Sequence, residues 1–254
     1  TDGVAANLDM LFPGTLAQRV LYPDTDGADD PWHLDRMAWV VLDVLESGVR
    51  AADQRLGPLN RLAPGATRWG RARRLADLFD RYLLQRPSML ASWEAGHDVD
   101  GTGTPLSDRA AWQPHLWRLV HARIGVPSPA ERHAERLAVI RAGNCPVDVP
   151  ERVSLFGLST LPGGGPFLEL LEALGTQRDV HLLAHQPSPA MTRAVVASAS
   201  TSRNRAVHRI DDRSVEVVNH PLLVSWARPA RESLVLLADH LTASVEAESD
   251  AGDE

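Results

Sequence analysis

The residues best equipped for chemistry lie between Trp69 and Arg86, where Arg71, Arg73, Arg74, Arg81 and Arg86 stand against only two carboxylates, Asp77 and Asp80. The stretch is locally basic in a chain whose formal net charge is −7. At helical spacing Arg73, Asp77, Asp80 and Leu84 share one face, with Arg81 one turn beyond Asp77. Two uses of that face compete. The plain one is a ladder of i,i+4 ion pairs on a solvated helix, contributing about 0.2–0.5 kcal/mol per pair. The other is nucleic-acid recognition, in which arginines hold phosphate oxygens and carboxylates accept hydrogen bonds from base amino groups, cytosine N4 above all. Carboxylates repel phosphates, so in a nucleic-acid channel they make sense only as base readers. On these residues alone the ion-pair ladder is the more ordinary reading.

Other constellations are weaker. Pro162-Gly163-Gly164-Gly165-Pro166 sits between a predicted strand and a predicted helix, where a phosphate-binding loop could lie. It lacks both the Lys-Ser/Thr of a P-loop and the G-x-G-x-x-G spacing. The strand ends, Ser159-Thr160 and Gln186-Pro187, offer no carboxylate for magnesium, so a flexible turn is expected. His181 and His185 can share a strand face, with His208 and His220 further on. Catalytic zinc takes three protein ligands in defined geometry, and no metal site is expected here. Ser154, Ser159 and Ser225 have no G-x-S-x-G elbow to anchor a hydrolase triad. All 26 basic residues are arginine, which excludes a P-loop lysine and Schiff-base catalysis within this segment. No residue is assigned a catalytic role.

The elements that must position these groups belong to a chain of 254 residues with 44% hydrophobic content, enough to bury the core of one large or two small domains. The negative balance argues against indiscriminate coating of nucleic acid, so any DNA contact must be local. Cys145 is the single cysteine, which leaves no internal disulfide and suits a reducing, cytoplasmic setting. There is no apolar run of membrane-spanning length and no signal-peptide pattern, so no membrane partner is expected. The first residue is Thr1 and not methionine, which suits an excised fragment.

Along the chain, Gly3 to Leu8 followed by Phe12-Pro13-Gly14 predicts a strand ending in a turn. Asp30-Pro31 predicts a helix start, with Leu34, Met37, Ala38, Val41, Leu42 and Leu45 at helical period. Leu75, Leu78, Phe79, Tyr82 and Leu83 predict a helix over 71–86, stopped by Pro87. A further helix is predicted from Trp112 to Ile124, and another from the capping box Ser128-Pro129-Ala130-Glu131 to Gly143. Val153 to Leu158 predicts a buried parallel strand, Phe167 to Leu174 a helix and Val180 to Ala184 a second strand, together a βαβ unit. Residues 186–215 predict a long loop, Leu234, Leu237, Ala238 and Leu241 a helix, and Glu246 to Glu254 an acidic tail. The expected organisation is an α/β core from residues 1–30 and 144–243, a mostly helical subdomain over 31–143, and a disordered tail over 244–254.

Several stretches, taken in order, resemble the RecC family, the gamma subunits of exodeoxyribonuclease V. They are Gly3-Val4-Ala5-Ala6-Asn7-Leu8-Asp9, Ala76-Asp77-Leu78-Phe79-Asp80-Arg81-Tyr82-Leu83, Arg86-Pro87 and Trp93-Glu94. They continue with Trp112-Gln113, Leu116-Trp117, Arg152-Val153, Gly157-Leu158-Ser159, Leu161-Pro162, Val180-His181-Leu182-Leu183, Asn219, Pro221-Leu222-Leu223 and Ser225-Trp226. The likeness covers residues 3 to 243.

The resemblance implies an amino-terminal piece of a much longer protein. Its fold would be an inactivated, helicase-like (P-loop-type) parallel-sheet core with a large helical insertion. It implies RecB-type and RecD-type partner subunits that carry ATP and Mg2+, duplex-end and single-stranded DNA as further partners, and a bacterial, nucleoid-associated cytoplasmic location. It also implies that Asp77, Leu78, Asp80 and Arg86 match positions that scan an exiting single strand, with Arg132 a further match in the next helix. Phe12 falls near another recognition position but differs in type. Arg228-Pro229-Ala230-Arg231 and the Arg-rich loop before Asn219 depart from the family pattern. The function implied is non-catalytic guiding and scanning of DNA in double-strand break repair and recombination. The alternatives are an active helicase or nuclease subunit with its motifs outside this segment, and a purely structural helical adaptor.

Overall fold

The computed structural model describes residues 8–23, 29–59, 67–158, 160–161, 164–184, 188–199, 213–218 and 220–238. The first helix, α1 (Pro13–Leu21), begins where a turn was expected. Proline's fixed φ and missing N–H suit the first helical position, and Ala17, Val20 and Leu21 bury the stripe that follows. Residues 3–7 of the predicted strand lie outside the described residues, and Leu8 is exposed and non-helical.

The next helix, α2 (Leu34–Arg50), starts later than Asp30-Pro31 suggested. Asp30 instead closes a preceding turn, its Oδ1 accepting from the Trp32 N–H at 2.9 Å, and His33 caps the helix by accepting from Asp35 N. Trp32 is 2% exposed and its indole donates to the Pro127 carbonyl at 3.2 Å, which ties that turn to the core. After a 3₁₀ turn at Gln54–Leu56 comes α3 (Arg68–Gln85), capped by Thr67, whose hydroxyl accepts from Gly70 N at 3.0 Å. Pro87 stops α3 as expected and also opens α4 (Pro87–Glu94), which the sequence reading did not include.

α5 (Trp112–Ile124) keeps its predicted bounds and ends at Gly125, whose φ of +74° favours glycine. α6 (Pro129–Arg141) has the predicted capping box: Ser128 Oγ accepts from Glu131 N at 3.2 Å, and Glu131 Oε2 accepts from Ser128 N at 2.6 Å.

The predicted βαβ unit is present as β1 (Arg152–Leu158), α7 (Gly165–Gly175) and β2 (Asp179–Ala184). The strands are parallel, Val153 opposite Val180 and Leu155 opposite Leu182, with a slip between Phe156 and Leu158 at Gly157, φ +71°. The protein is therefore α/β, mostly helical, with a two-stranded sheet among the described residues. The expectation of fully buried strands is corrected. Val153, Leu155, Val180 and Leu182 face the second core cluster, while Phe156 is 82% and Leu183 50% exposed. A parallel strand reads as buried only when both faces are covered, and a single layer covers these.

The long loop expected over 186–215 is corrected in part, and its residues 186–187 and 200–212 lie outside the described residues. Within it α8 (Pro189–Ala199) forms, opened by Ser188, whose Oγ accepts from Met191 N, and anchored by fully buried Val195. A short helix, α9 (Pro221–Ser225), precedes a helical run over 228–238. Arg231, in the segment that departs from the family pattern, is 1% exposed and donates to the Leu223 and Val224 carbonyls. The predicted tail over 244–254 lies outside the described residues. Among the described residues, no helix is long and apolar enough to cross a membrane.

Buried side chains form two clusters. One is built from α2 to α5 with Trp32 and Ala130; it packs Trp32 on Trp117 and Phe79 on Trp117, each with ring centroids 5.2 Å apart. The other joins α1, the second half of α6, β1 and α7 through Leu21, Ile140, Leu155 and Leu170.

Candidate nucleic-acid interface

α3 holds the candidate face because its opposite side is locked. Ala72, Leu75, Ala76 and Phe79 are buried in the first cluster, so the helix cannot roll without emptying that stripe. The outer side then presents the charged residues at fixed angles.

Asp77 behaves as the ladder reading predicts: Arg81 reaches back to it at 2.8 Å and also donates to its carbonyl at 3.2 Å. Arg73 does not join that ladder and pairs across to Asp35 of α2. Asp80 differs from both. It is half-buried and makes no hydrogen bond or ion pair among the described residues. Burial above all, with the negative charge of Asp77 added, raises its pKa above the usual carboxylate range against the pull of His33, Arg73 and Arg81. This carboxylate therefore has open acceptor capacity in a partly desolvated setting, where a donor from outside would be strongly felt.

Leu78 lies about 160° round the helix from Asp80 and packs toward the first cluster. The two are not brought to one point; they flank Asp77 on opposite sides. Arg86 closes the series at the corner between α3 and α4, with φ −145° and ψ 48°. Its guanidinium rests 5.8 Å above the Tyr82 ring, and its side chain crosses Gly101, where an added Cβ would come within 3.3 Å of Arg86 Cδ. Tyr82 is itself fixed, donating its hydroxyl to Gln113 Oε1 at 2.9 Å. Arg86 is exposed and has no carboxylate partner among the described residues, so its charge is positioned and available.

Arg132 sits apart, in the first turn of α6. It lies beside Tyr22, whose phenol is pushed up to about 12 by burial against the lowering influence of Arg132 and Arg136. The Arg132 Nε is buried without a hydrogen-bond partner among the described residues, and no hydrogen bond or ion pair joins it to α3. Phe12 is the N-cap residue of α1 and 82% exposed.

One grouping escaped the sequence reading. Glu94 of α4, His121 of α5 and Glu131 of α6 each bring one ligand-capable atom within 4.8 Å of the others. Three separate helices supply them, so spacing along the chain carries no signal. These side chains already serve the fold: His121 Nε2 lies 3.1 Å from Glu131 Oε2, and the Trp117 indole donates to Glu94 Oε1 at 3.0 Å. Burial raises the Glu94 pKa, the Ser128 and Trp117 hydrogen bonds oppose it, and Glu131's charge adds to the rise. Of the histidines weighed from sequence, His181 is exposed and His220 caps α9 by accepting from Leu222 N. His185 and His208, with Pro162 and Gly163, lie outside the described residues.

Comparison with known proteins adds the family. The family model of the RecC N-terminal domain matches residues 1–253. The RecC subunit of the RecBCD enzyme of Mycolicibacterium smegmatis is 34% identical over 249 residues, covering 93% of this chain and 21% of that protein. Its counterpart in Mycobacterium tuberculosis is 34% identical over 241 residues, with 91% and 21% covered. That of Escherichia coli K12 is 29% identical over 274 residues, with 93% and 23% covered. The chain thus spans about a fifth of the length of these relatives. A match that runs through both core clusters and the whole of α3 leaves one assignment: the chain belongs to the RecC family, as its N-terminal domain.

Proposed function

We propose that the chain is a non-catalytic, DNA-guiding segment of a RecC-type subunit, working beside RecB-type and RecD-type partners in an exodeoxyribonuclease V complex. The observation that carries this reading is the pairing on α3 of Asp80, a half-buried carboxylate without a donor, with Arg86, an exposed guanidinium without a carboxylate. The ion-pair ladder that joins Asp77 to Arg81 does not extend to them, because neither has an opposite charge three or four residues away. In this reading Arg86 holds a phosphate or base edge while Asp77 and Asp80 accept from base amino groups, Leu78 packs against a base, and Arg132 contacts the strand further on. The βαβ unit belongs to a helicase-like core formed by 1–30 and 144–243, and 31–143 is the helical insertion that carries α3. Hydrolysis of ATP with Mg2+ and phosphodiester cleavage then fall to the partner subunits, in the bacterial cytoplasm.

The test uses the full-length parent chain with its cognate partners on linear duplex DNA. Degradation should require the parent, while the parent alone should hydrolyse no ATP. Within the complex, Asp80→Ala and Arg86→Ala should each weaken the response to a recognition sequence by about tenfold or more, the worth of one good base contact, and leave unwinding within about twofold. ATP hydrolysis by the parent alone would replace this reading with a catalytic subunit. Equal loss of unwinding and sequence response would remove base reading, and no loss of either would leave a structural adaptor.

A further inference from the structure

The rings of Trp39 of α2 and Trp69 of α3 lie against each other in a tilted pair, with centroids 4.3 Å apart and planes inclined by 41°. They belong to neither core cluster, and they remain 63% and 38% exposed. Three other tryptophans in the chain, Trp32, Trp93 and Trp117, are at most 2% exposed, so the fold had the means to bury this pair and did not. A paired, solvent-facing aromatic surface is a ligand-ready feature, because indole gives a large rigid contact at little conformational cost.

Its electrostatic surroundings select the ligand. Residues 68–76 contain Arg68, Arg71, Arg73 and Arg74 and no carboxylate. α2 contributes Asp35, Asp43 and Glu46, and each is already matched, by Arg73, Arg123 and Arg68. Arg74 is exposed and without a partner among the described residues, and Arg68 is 85% exposed with its carboxylate at 3.8 Å. The charge left over beside the rings is therefore positive. Their position matters as much. Trp69, Arg73, Asp77 and Asp80 follow one another at i, i+4, i+8 and i+11, a single ridge of α3. At 1.5 Å per residue, Trp69 stands about 12–16 Å from the two aspartates, roughly four nucleotides at stacked spacing.

We infer that the Trp39–Trp69 pair is a base-stacking platform for single-stranded DNA, set on the same ridge of α3 as Asp77 and Asp80. The inference rests on the reading above that this face meets a DNA strand. Stacking on an aromatic ring is tolerant of sequence because every base has a π-face. The ridge then divides the labour: the tryptophan end holds whatever strand arrives, and the aspartate end discriminates among bases.

The test is photocrosslinking of the full-length complex to a forked duplex whose single-stranded tails carry 5-iodouracil, with crosslinked peptides mapped by mass spectrometry. Crosslinks at Trp39 or Trp69 are expected. Trp39→Ala should weaken binding of a thymidylate tail by about tenfold, and Trp39→Phe should restore most of it. Crosslinks confined to residues 77–86 would overturn the platform and leave the DNA-guiding reading standing. A crosslink nowhere in residues 34–94 would overturn both. Release of a partner subunit by Trp39→Ala, without any crosslink at the rings, would make the pair a protein interface instead.

Discussion

In the helical cluster Trp32, Trp93 and Trp117 are each at most 2% exposed and are linked by ring contacts, Trp32 and Phe79 to Trp117 and Tyr82 to Trp93. In the α/β layer one side of the two-stranded sheet lies on the second cluster, and the other carries Phe156 and Leu183 in the open. The first region closes its core within its own helices, and the second covers one face in two. On α3 of the closed cluster, stability and presentation fall on opposite sides of one helix. The closed cluster supplies the rigidity that α3 needs, because a helix can display unpaired charges at fixed angles only if its inner side is firmly seated.

The comparison breaks most readily at Trp117. Its side chain is fully buried and its indole donates to Glu94, so Trp117→Ala should cost about 3–5 kcal/mol through cavity and lost hydrogen bond. Chemical denaturation followed by circular dichroism of the full-length protein measures this, and a cost below about 1 kcal/mol would mean the cluster is not closed. Ser128 caps α6 and is completely buried. Ser128→Ala should cost about 1 kcal/mol by the same measurement, and a neutral result would mean that packing alone holds the start of α6.

A smaller effect is expected from pH at His133, on the α6 face toward α7. Burial, with Arg141 adding, depresses its pKa below the ordinary 6.5. Glu169 Oε2 is 4.0 Å from its Nε2, too far for a hydrogen bond, and half exposed, so it does not reverse this. The unfolded chain then binds the proton more readily. His133's contribution is fully present above about pH 6.5 and is lost as pH falls through the depressed folded value. Denaturation midpoints across pH 5 to 8 should show that loss, and His133→Phe should flatten it. The smallest effect is Phe156→Ser, expected within about 0.5 kcal/mol because the ring is 82% exposed. A cost like that at Trp117 would show that something covers the sheet and would erase the contrast.

Much of the helical region was legible from periodicity and caps. Trp112 to Ile124 and the Ser128 capping box carry every local signal their helices need, and the structure repeats them. Errors gather at proline. Pro13 and Pro87 signal a turn and a stop, yet proline is also suited to the first helical position, and both residues open helices. Strand burial was misjudged for a different reason. An apolar run states what a strand could bury, and coverage is decided by other elements. At the site, α3 and its charged face follow from spacing alone. That Asp77 pairs with Arg81 is likewise local, and no basic residue stands three or four positions from Asp80; that Arg73 turns to Asp35 of α2 instead of Asp77 is a competition that no local pattern contains.

The corner at Arg86 limits how this helix can vary in length. Arg86 ends α3 and begins α4, and Pro87 fixes the start of the second helix. Removing or inserting one residue between Arg81 and Arg86 would turn Arg86 by about 100° relative to Asp77 and Asp80, which the buried stripe of α3 holds in place. Removing or inserting a whole turn of three or four would keep all three aligned and change only their separation, by about 5 Å. Length variation tolerated in this helix should therefore come in steps of a turn, and each step would alter the distance from the two aspartates to Arg86 without altering the side of the helix they share.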